Sequence, residues 1–207
     1  MESKNHWEKV YSTKAATDVS WFQEQAQPSL SLIGDANSSG SASIIDVGGG
    51  ASTLVDGLLA NGYENVTVLD LSKAALNTAK ARLGLKAEPV RWLDANVLEV
   101  EFAKNTFDVW HDRAVFHFLT TQEERQAYVC QVLHSVKPGG TMIIATFAED
   151  GPTQCSGLPV MRYSAAQLQA EFGQPFELIG HKKELHRTPG GSEQQFIYGV
   201  FKKVANA

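Results

Sequence analysis

Short β-branched runs alternate along this chain with longer stretches whose apolar residues recur at helical spacing. Ile44-Ile45-Asp46-Val47 stops at three glycines and reads as a buried strand. Residues 52–61 follow with Leu54, Val55, Leu58 and Leu59 at helical spacing and Ser52 as a cap. Residues 66–70 predict a second strand, and Ser72 caps a second helix carrying Ala75, Leu76, Ala79 and Leu83. Third and fourth strands are expected over about 89–93 and 107–111. A helix over about 121–136 ends at Lys137-Pro138-Gly139-Gly140, where proline cannot continue it, and residues 141–147 form a fifth strand.

The pattern then changes. A helix near 164–173 precedes two strands, about 176–186 and 195–203, and Thr188-Pro189-Gly190-Gly191 between them predicts an antiparallel hairpin. Ahead of the periodic part, residues 1–33 form an aromatic-rich segment anchored by Trp7, Tyr11 and Trp21. The small polar residues 34–41 read as a flexible connector.

Strand then helix, repeated, forces parallel pairing with helices on both sheet faces. The expected fold is therefore an α/β three-layer sandwich: a mostly parallel seven-stranded sheet with a C-terminal antiparallel hairpin. A length of 207 residues suits one domain, with a core over 42–147 and a substrate loop and closing hairpin over 148–207. At 43% hydrophobic and 20% charged, the composition is that of an ordinary globular protein. The net charge of -5 argues against a dedicated nucleic-acid binder. One local basic stretch, His181-Lys182-Lys183 with His186-Arg187, is either a solvated strand face or a contact for an anionic substrate. Two cysteines without a Cys-x-x-Cys pair suit a reducing cytosol, and the scattered histidines call for no metal. The polar N-terminus and the lack of an apolar run of ~20 residues point to a soluble, cytoplasmic protein with no membrane partner.

In open α/β sheets ligands bind beyond the C-terminal strand ends. Three strands here end in an acid at that edge. Asp46 precedes Gly48-Gly49-Gly50, Asp70 ends the second strand beside Leu71, and Asp94 follows the third. Glycines let the backbone approach a ligand without a Cβ clash. Asp70 can accept from two vicinal ribose hydroxyls, Asp94 from an adenine amino group, and the Ala95 amide can donate to a ring nitrogen. Asp46 either contacts the cofactor or orients the glycine loop.

Asp46-Val47-Gly48-Gly49-Gly50-Ala51, Leu69-Asp70, Leu93-Asp94-Ala95 and Pro138-Gly139-Gly140 resemble the ordered motifs of class I, Rossmann-like methyltransferases that use S-adenosylmethionine (SAM). The resemblance covers residues 42–147 and departs at Ser52, where such enzymes often carry glycine. It implies SAM as cofactor and S-adenosylhomocysteine as product. His6-Trp7-Glu8-Lys9-Val10-Tyr11 also resembles the opening of thiopurine- and thiol-type methyltransferases and of some small lysine methyltransferases. There the segment folds over the cofactor as a lid, which implies Trp7, Tyr11 and Trp21 against the sulfonium; otherwise these aromatics only pin the N-terminus to the sheet. A nicotinamide dehydrogenase competes through Gly48-x-Gly50, but Thr53 stands where its fingerprint wants glycine or alanine.

Because the sulfonium activates its own methyl group, the protein must supply alignment, water exclusion and, for some acceptors, a base. Residues 111–118, after the expected fourth strand, offer Asp112, Arg113 and His117 to the substrate, with His117 and Asp112 as candidate catalytic groups. His117 otherwise packs between Phe116 and Phe118, while His111 sits over the adenine side. The long loop 148–159 and its neighbours add Cys155, Arg162 and Tyr163 as substrate contacts. The expected acceptor is a small molecule with a sulfur, nitrogen or oxygen nucleophile. A protein lysine substrate is the enzymatic alternative, and a SAM-binding regulatory or partner-activating protein the non-enzymatic one.

Overall fold

The computed structural model describes residues 2–205. Along the chain run α1 (Glu2–Thr13), α2 (Gln27–Ala36), β1 (Ser43–Val47), α3 (Leu54–Ala60), β2 (Asn65–Asp70) and α4 (Lys73–Leu83). Then come β3 (Arg91–Asp94), β4 (Phe107–Arg113), α5 (Gln122–Ser135), β5 (Val136–Phe147), β6 (Gln154–Cys155), β7 (Leu158–Pro159), α6 (Ala165–Phe172), β8 (Phe176–Arg187) and β9 (Glu193–Lys203). Seven strands form one sheet in the order β3-β2-β1-β4-β5-β9-β8. The first four pairings from β3 to β5 are parallel, and β9 runs antiparallel to both β5 and β8. The expected architecture is the observed one.

Alternation along the strands sends side chains to two cores. Ile45, Val47, Met142 and Ile144 face the layer of α5 and α6, while Ile44, Ile143 and Ala145 face α2, α3 and α4. Both faces are covered, which is why these strands read as unbroken apolar runs. Helix starts follow local chemistry: Thr121 with Glu124 and Ser164 with Gln167 form capping boxes on α5 and α6.

Five boundaries differ from expectation, the first being β5, which starts at Val136 rather than 141, so Pro138-Gly139-Gly140 lie within the strand. Residues 34–36 belong to α2, because Ile33 and Ser29 are buried and Leu30 packs onto the bare backbone of Gly57 in α3. The connector therefore shrinks to residues 37–42, where Asn37 and Ser39 accept backbone hydrogen bonds. β3 starts only at Arg91, since Gly84–Ala87 continue α4 as a 3-10 turn. β4 runs two residues beyond expectation to Arg113, so Asp112 and Arg113 lie on the strand and point to opposite faces. Inside the expected loop, Cys155 and Leu158 pair across a tight turn at Ser156-Gly157, both with positive φ.

Candidate active site

A cavity of about 520 Å³ opens beyond the C-terminal ends of β1, β2 and β4. Val47, Gly48, Leu69, Asp70 and Leu71 form its floor, and Trp7, Tyr11 and Trp21 its roof. The glycine loop turns back under β2: the amides of Gly48 and Gly49 both donate to the Leu69 carbonyl. Gly48 has φ +69°, and a Cβ there would overlap Val115 Cγ2. A Cβ on Gly50, also at positive φ, would stand 2.6 Å from Asp70 Oδ2. A Cβ on Gly49 would come within 2.5 Å of Asp46 Oδ2, so all three glycines are required by close approach at the site itself.

Asp70 Oδ1 accepts from the Ser72 amide at 2.8 Å, while Oδ2 accepts from none of the described residues. Burial pushes the Asp70 carboxyl up to about 7, the Ser72 hydrogen bond opposes this, and Asp46, Asp94 and Glu8 add to it. Leu71 lines the cavity as expected. Asp94 and Ala95 do not. Asp94 pairs with Lys4 Nζ at 2.6 Å, and the Ala95 amide donates to the Asp70 carbonyl, holding β3 to β2. The far wall is built instead from Asn96, Val97 and Leu98, one residue further along.

The roof is held by specific contacts. Trp7 meets Trp21 and Phe118 edge-on at centroid distances of 5.6 and 5.1 Å, and Trp21 Nε1 donates to Tyr11 Oη at 3.0 Å. On the outer side of α1, Glu8 accepts from the Ser72 hydroxyl and the Ala74 amide at the start of α4. The structure brings all three N-terminal aromatics to the cavity.

The candidate acid–base pair is not there. Asp112 is fully buried on the other face of β4, accepting from the Val115 and Phe116 amides and from Tyr128 Oη at 2.6 Å. Burial pushes its carboxyl up to about 6 against those bonds. His117 is also fully buried, wedged between Phe118 and Phe147, and its Nδ1 accepts from the Phe147 amide. Burial, reinforced by Arg113, drives the imidazole down to about 3. His117 is neutral packing. Tyr163 is buried against Phe116, and Arg162 lies on the surface donating to the Gly151 carbonyl, so neither lines the cavity. Cys155 does line it, but burial raises its thiol to about 12, which leaves no thiolate for covalent chemistry.

Residues 45–144 match the family model described as a methyltransferase domain. That segment carries β1 to β5, the glycine loop and Asp70. That segment is a methyltransferase domain, and its sheet has the Rossmann-like fold. The chain is 30% identical over 108 residues to an uncharacterized methyltransferase of Mycobacterium bovis, covering 52% of each protein. It thus spans about half the length of the mycobacterial relatives it matches. EEF1A lysine methyltransferase 2 of Danio rerio is 28% identical over 193 residues, 86% of this chain and 76% of that protein. Among solved structures, one described by the conversion of a disulfide bond into a thioacetal group during echinomycin biosynthesis superposes with a TM-score of 0.78. It shares 18% identity, with 99% of this chain and 94% of that one covered. The 1,6-didemethyltoxoflavin-N1-methyltransferase of Burkholderia thailandensis, with S-adenosylhomocysteine bound, gives a TM-score of 0.69 at 19% identity, covering 98% and 84%.

A second, smaller cavity of about 50 Å³ adjoins the first in the methyltransferase domain and shares Gly48, Tyr11, Trp21 and Arg113 with it. Here the structure places Asp46 and His111, away from the Asn96 wall. His111 Nδ1 donates to Asp46 Oδ1 at 2.7 Å, and its Nε2 accepts from Ser29 Oγ at 2.8 Å. Sequence reasoning missed Ser29, because nothing in the chain's local pattern shows that α2 lies across β4. It missed Asn96 as well, though that residue's place two positions after Asp94 is the signal that could have found it.

Proposed function

We propose that this chain transfers a methyl group from SAM to a nucleophilic sulfur, nitrogen or oxygen atom of a small molecule in the cytoplasm. The observation that carries this reading is the free oxygen of Asp70 at the end of β2, beside a glycine loop that cannot accept a side chain and beneath an aromatic roof. The residues fit the cofactor. Asp70 Oδ2 is an acceptor for ribose hydroxyls, Leu71, Val97 and Leu98 supply apolar walls for a base, and Gly48 opens the path to the amino-acid end. Trp7, Tyr11 and Trp21 bring aromatic rings to the cavity, where a cation placed over a ring face would gain roughly 0.5–2 kcal/mol. When bound, SAM supplies the electrophilic methyl. What the chain contributes is alignment and dryness: α1 closes the cavity from above, and Phe118, Val115 and Cys155 keep its wall apolar.

A chamber roofed by α1 suits a compact acceptor better than a protein side chain presented from a folded surface. The lysine methyltransferase reading is the enzymatic alternative, and the Danio rerio relative is what favours it. A protein that binds SAM without turnover is the third reading. None of the described helices is long and apolar enough to cross a membrane.

Calorimetric titration with SAM, S-adenosylhomocysteine and NAD tests the cofactor, followed by a radiolabelled-methyl screen of small thiols, amines and lysate proteins. Binding of the first two with label on small molecules is expected. Label on lysate proteins alone would move the assignment to a protein substrate. NAD binding alone would overturn the reading of the glycine loop, and SAM binding without label on any pool would favour the regulatory protein.

A further inference from the structure

Residues 19–26 carry Trp21 and form neither helix nor strand, yet their backbone is held from three sides. His186 Nε2 donates to the Ser20 carbonyl at 2.8 Å, Arg113 Nη1 to the Trp21 carbonyl at 3.3 Å, and Thr53 Oγ1 to the Gln23 carbonyl at 3.1 Å. Gln23 Nε2 in turn donates to Glu184 Oε1 at 2.8 Å. The other oxygen of Glu184 accepts from Tyr198 Oη at 2.9 Å, and Arg113 Nη2 stands 3.5 Å from it. Arg113 Nε donates to the same Tyr198 Oη at 2.9 Å, which closes the ring. Glu184 and His186 lie two residues apart on β8, so both reach the same sheet face, and neither lines either cavity. Side chains from β4, from β8 and from the residue before α3 thus do for residues 20–23 what a ladder of backbone bonds does for a strand.

We infer that β8 of the closing hairpin, through Glu184 and His186, sets the position of Trp21 in the cavity wall, which makes both of them positioning residues for methyl transfer. The inference rests on the proposed cofactor site, because Trp21 matters to the reaction only as a wall of it. Trp21 is tied to α1 as well, donating to Tyr11 and meeting Trp7 edge-on. Exposure decides which of the two holds the other. The side chains of Arg113 and Glu184 are 10% and 13% exposed, whereas those of Lys4 and Asp94, which tie α1 down, are 49% and 33% exposed. Exposed pairs are weakened by water and salt, while a buried network around a charge is strengthened by its surroundings. α1 therefore seats its rings on a Trp21 that the hairpin has already placed. The basic stretch of β8 divides accordingly: His181, Lys182, Lys183 and Arg187 are exposed, and His186 turns inward to Ser20.

The test labels the protein with 5-fluorotryptophan and follows the fluorine resonance of Trp21, assigned by Trp21→Phe, with the fully buried Trp110 as internal reference. Glu184→Ala and His186→Leu should shift and broaden the Trp21 line and leave that of Trp110 unchanged. Calorimetry on the same proteins should show S-adenosylhomocysteine affinity reduced by about 2- to 10-fold, the scale of losing an aromatic contact. Glu184→Gln, which keeps an oxygen for Gln23, and His186→Gln, which keeps an N–H for Ser20, should each restore part of both readings. Because the two residues act through Trp21, Glu184→Ala should cost little further affinity in a Trp21→Ala protein. An unmoved Trp21 line, an undiminished affinity, or full additivity in the double variant would overturn the inference. Where Glu184→Ala does not fold, seen as loss of the Trp110 line, His186→Leu carries the same comparison. A wild type that binds no S-adenosylhomocysteine would overturn the cofactor reading, and the fluorine lines would still decide whether β8 places Trp21.

Discussion

At the scale of single residues, Asp70 combines an expected role with an unexpected charge state. A carboxylate near pKa 7 is half protonated in neutral solution, yet accepting from two ribose hydroxyls favours the ionised form. Cofactor affinity should therefore rise about tenfold between pH 6 and pH 8, with protons released on binding. Titrations in buffers of different ionisation enthalpy read that release directly. Asp70→Asn should abolish the pH dependence and weaken S-adenosylhomocysteine binding by roughly 10- to 100-fold. A flat profile in the wild type would remove Asp70 from the ribose. Asp70 was legible in the chain because an acid at the end of a β-branched run stands at the ligand edge whatever the details. Asp112 and His117 were not, because their direction depends on where β4 ends. Two extra strand residues turn Asp112 into the core, and the turn after it buries His117 against Phe147.

At the scale of elements, α1 is the piece whose function most needs a measurement. Lys4 on Asp94 and Glu8 on the start of α4 fix it over the cavity, and Trp7 faces inwards from the same helix. If Trp7 meets the sulfonium, Trp7→Leu should lower SAM affinity more than S-adenosylhomocysteine affinity, by roughly 2- to 30-fold in their ratio. A ring that only packs would weaken both ligands alike, and competition binding against a fluorescent adenosine analogue separates the cases. The core elements β1 to β5 were legible because both sheet faces are covered and the strands are bounded by caps and glycines. α2 was not, since Gly34 to Ala36 read as linker by composition. Only the packing of Leu30 on Gly57 and of Ile33 beneath it makes them helical.

At the scale of the whole molecule, one sheet carries both the glycine loop and the closing hairpin, which supports the proposal that the chain folds as one unit. A single thermal transition is then expected. Saturation with S-adenosylhomocysteine at about 100 times its Kd adds roughly 2.7 kcal/mol, which for a chain of this size raises Tm by about 5–10 °C. Two transitions, only one of them moved by ligand, would divide the chain instead.

The pH dependence of that global stability is set by opposing buried groups. His117 is held near pKa 3 in the folded protein against about 6.5 unfolded, so its stabilising contribution is full above 6.5 and is lost as pH falls from there towards 3. Asp70 and Asp112, raised to about 7 and about 6, act with the opposite sign: their contribution is full below about pH 4 and is lost as pH rises through those values. Replacing His117 by phenylalanine, a ring among rings, removes only the first effect. Relative to wild type, His117→Phe should gain about 2 kcal/mol between pH 7 and pH 5, read as a shift in urea midpoint between the two proteins at each pH. The comparison cancels the two aspartates. It also separates packing from catalysis, since a histidine that served as an accessible base would titrate near its ordinary value in the folded state. The stability difference would then stay flat across the same range.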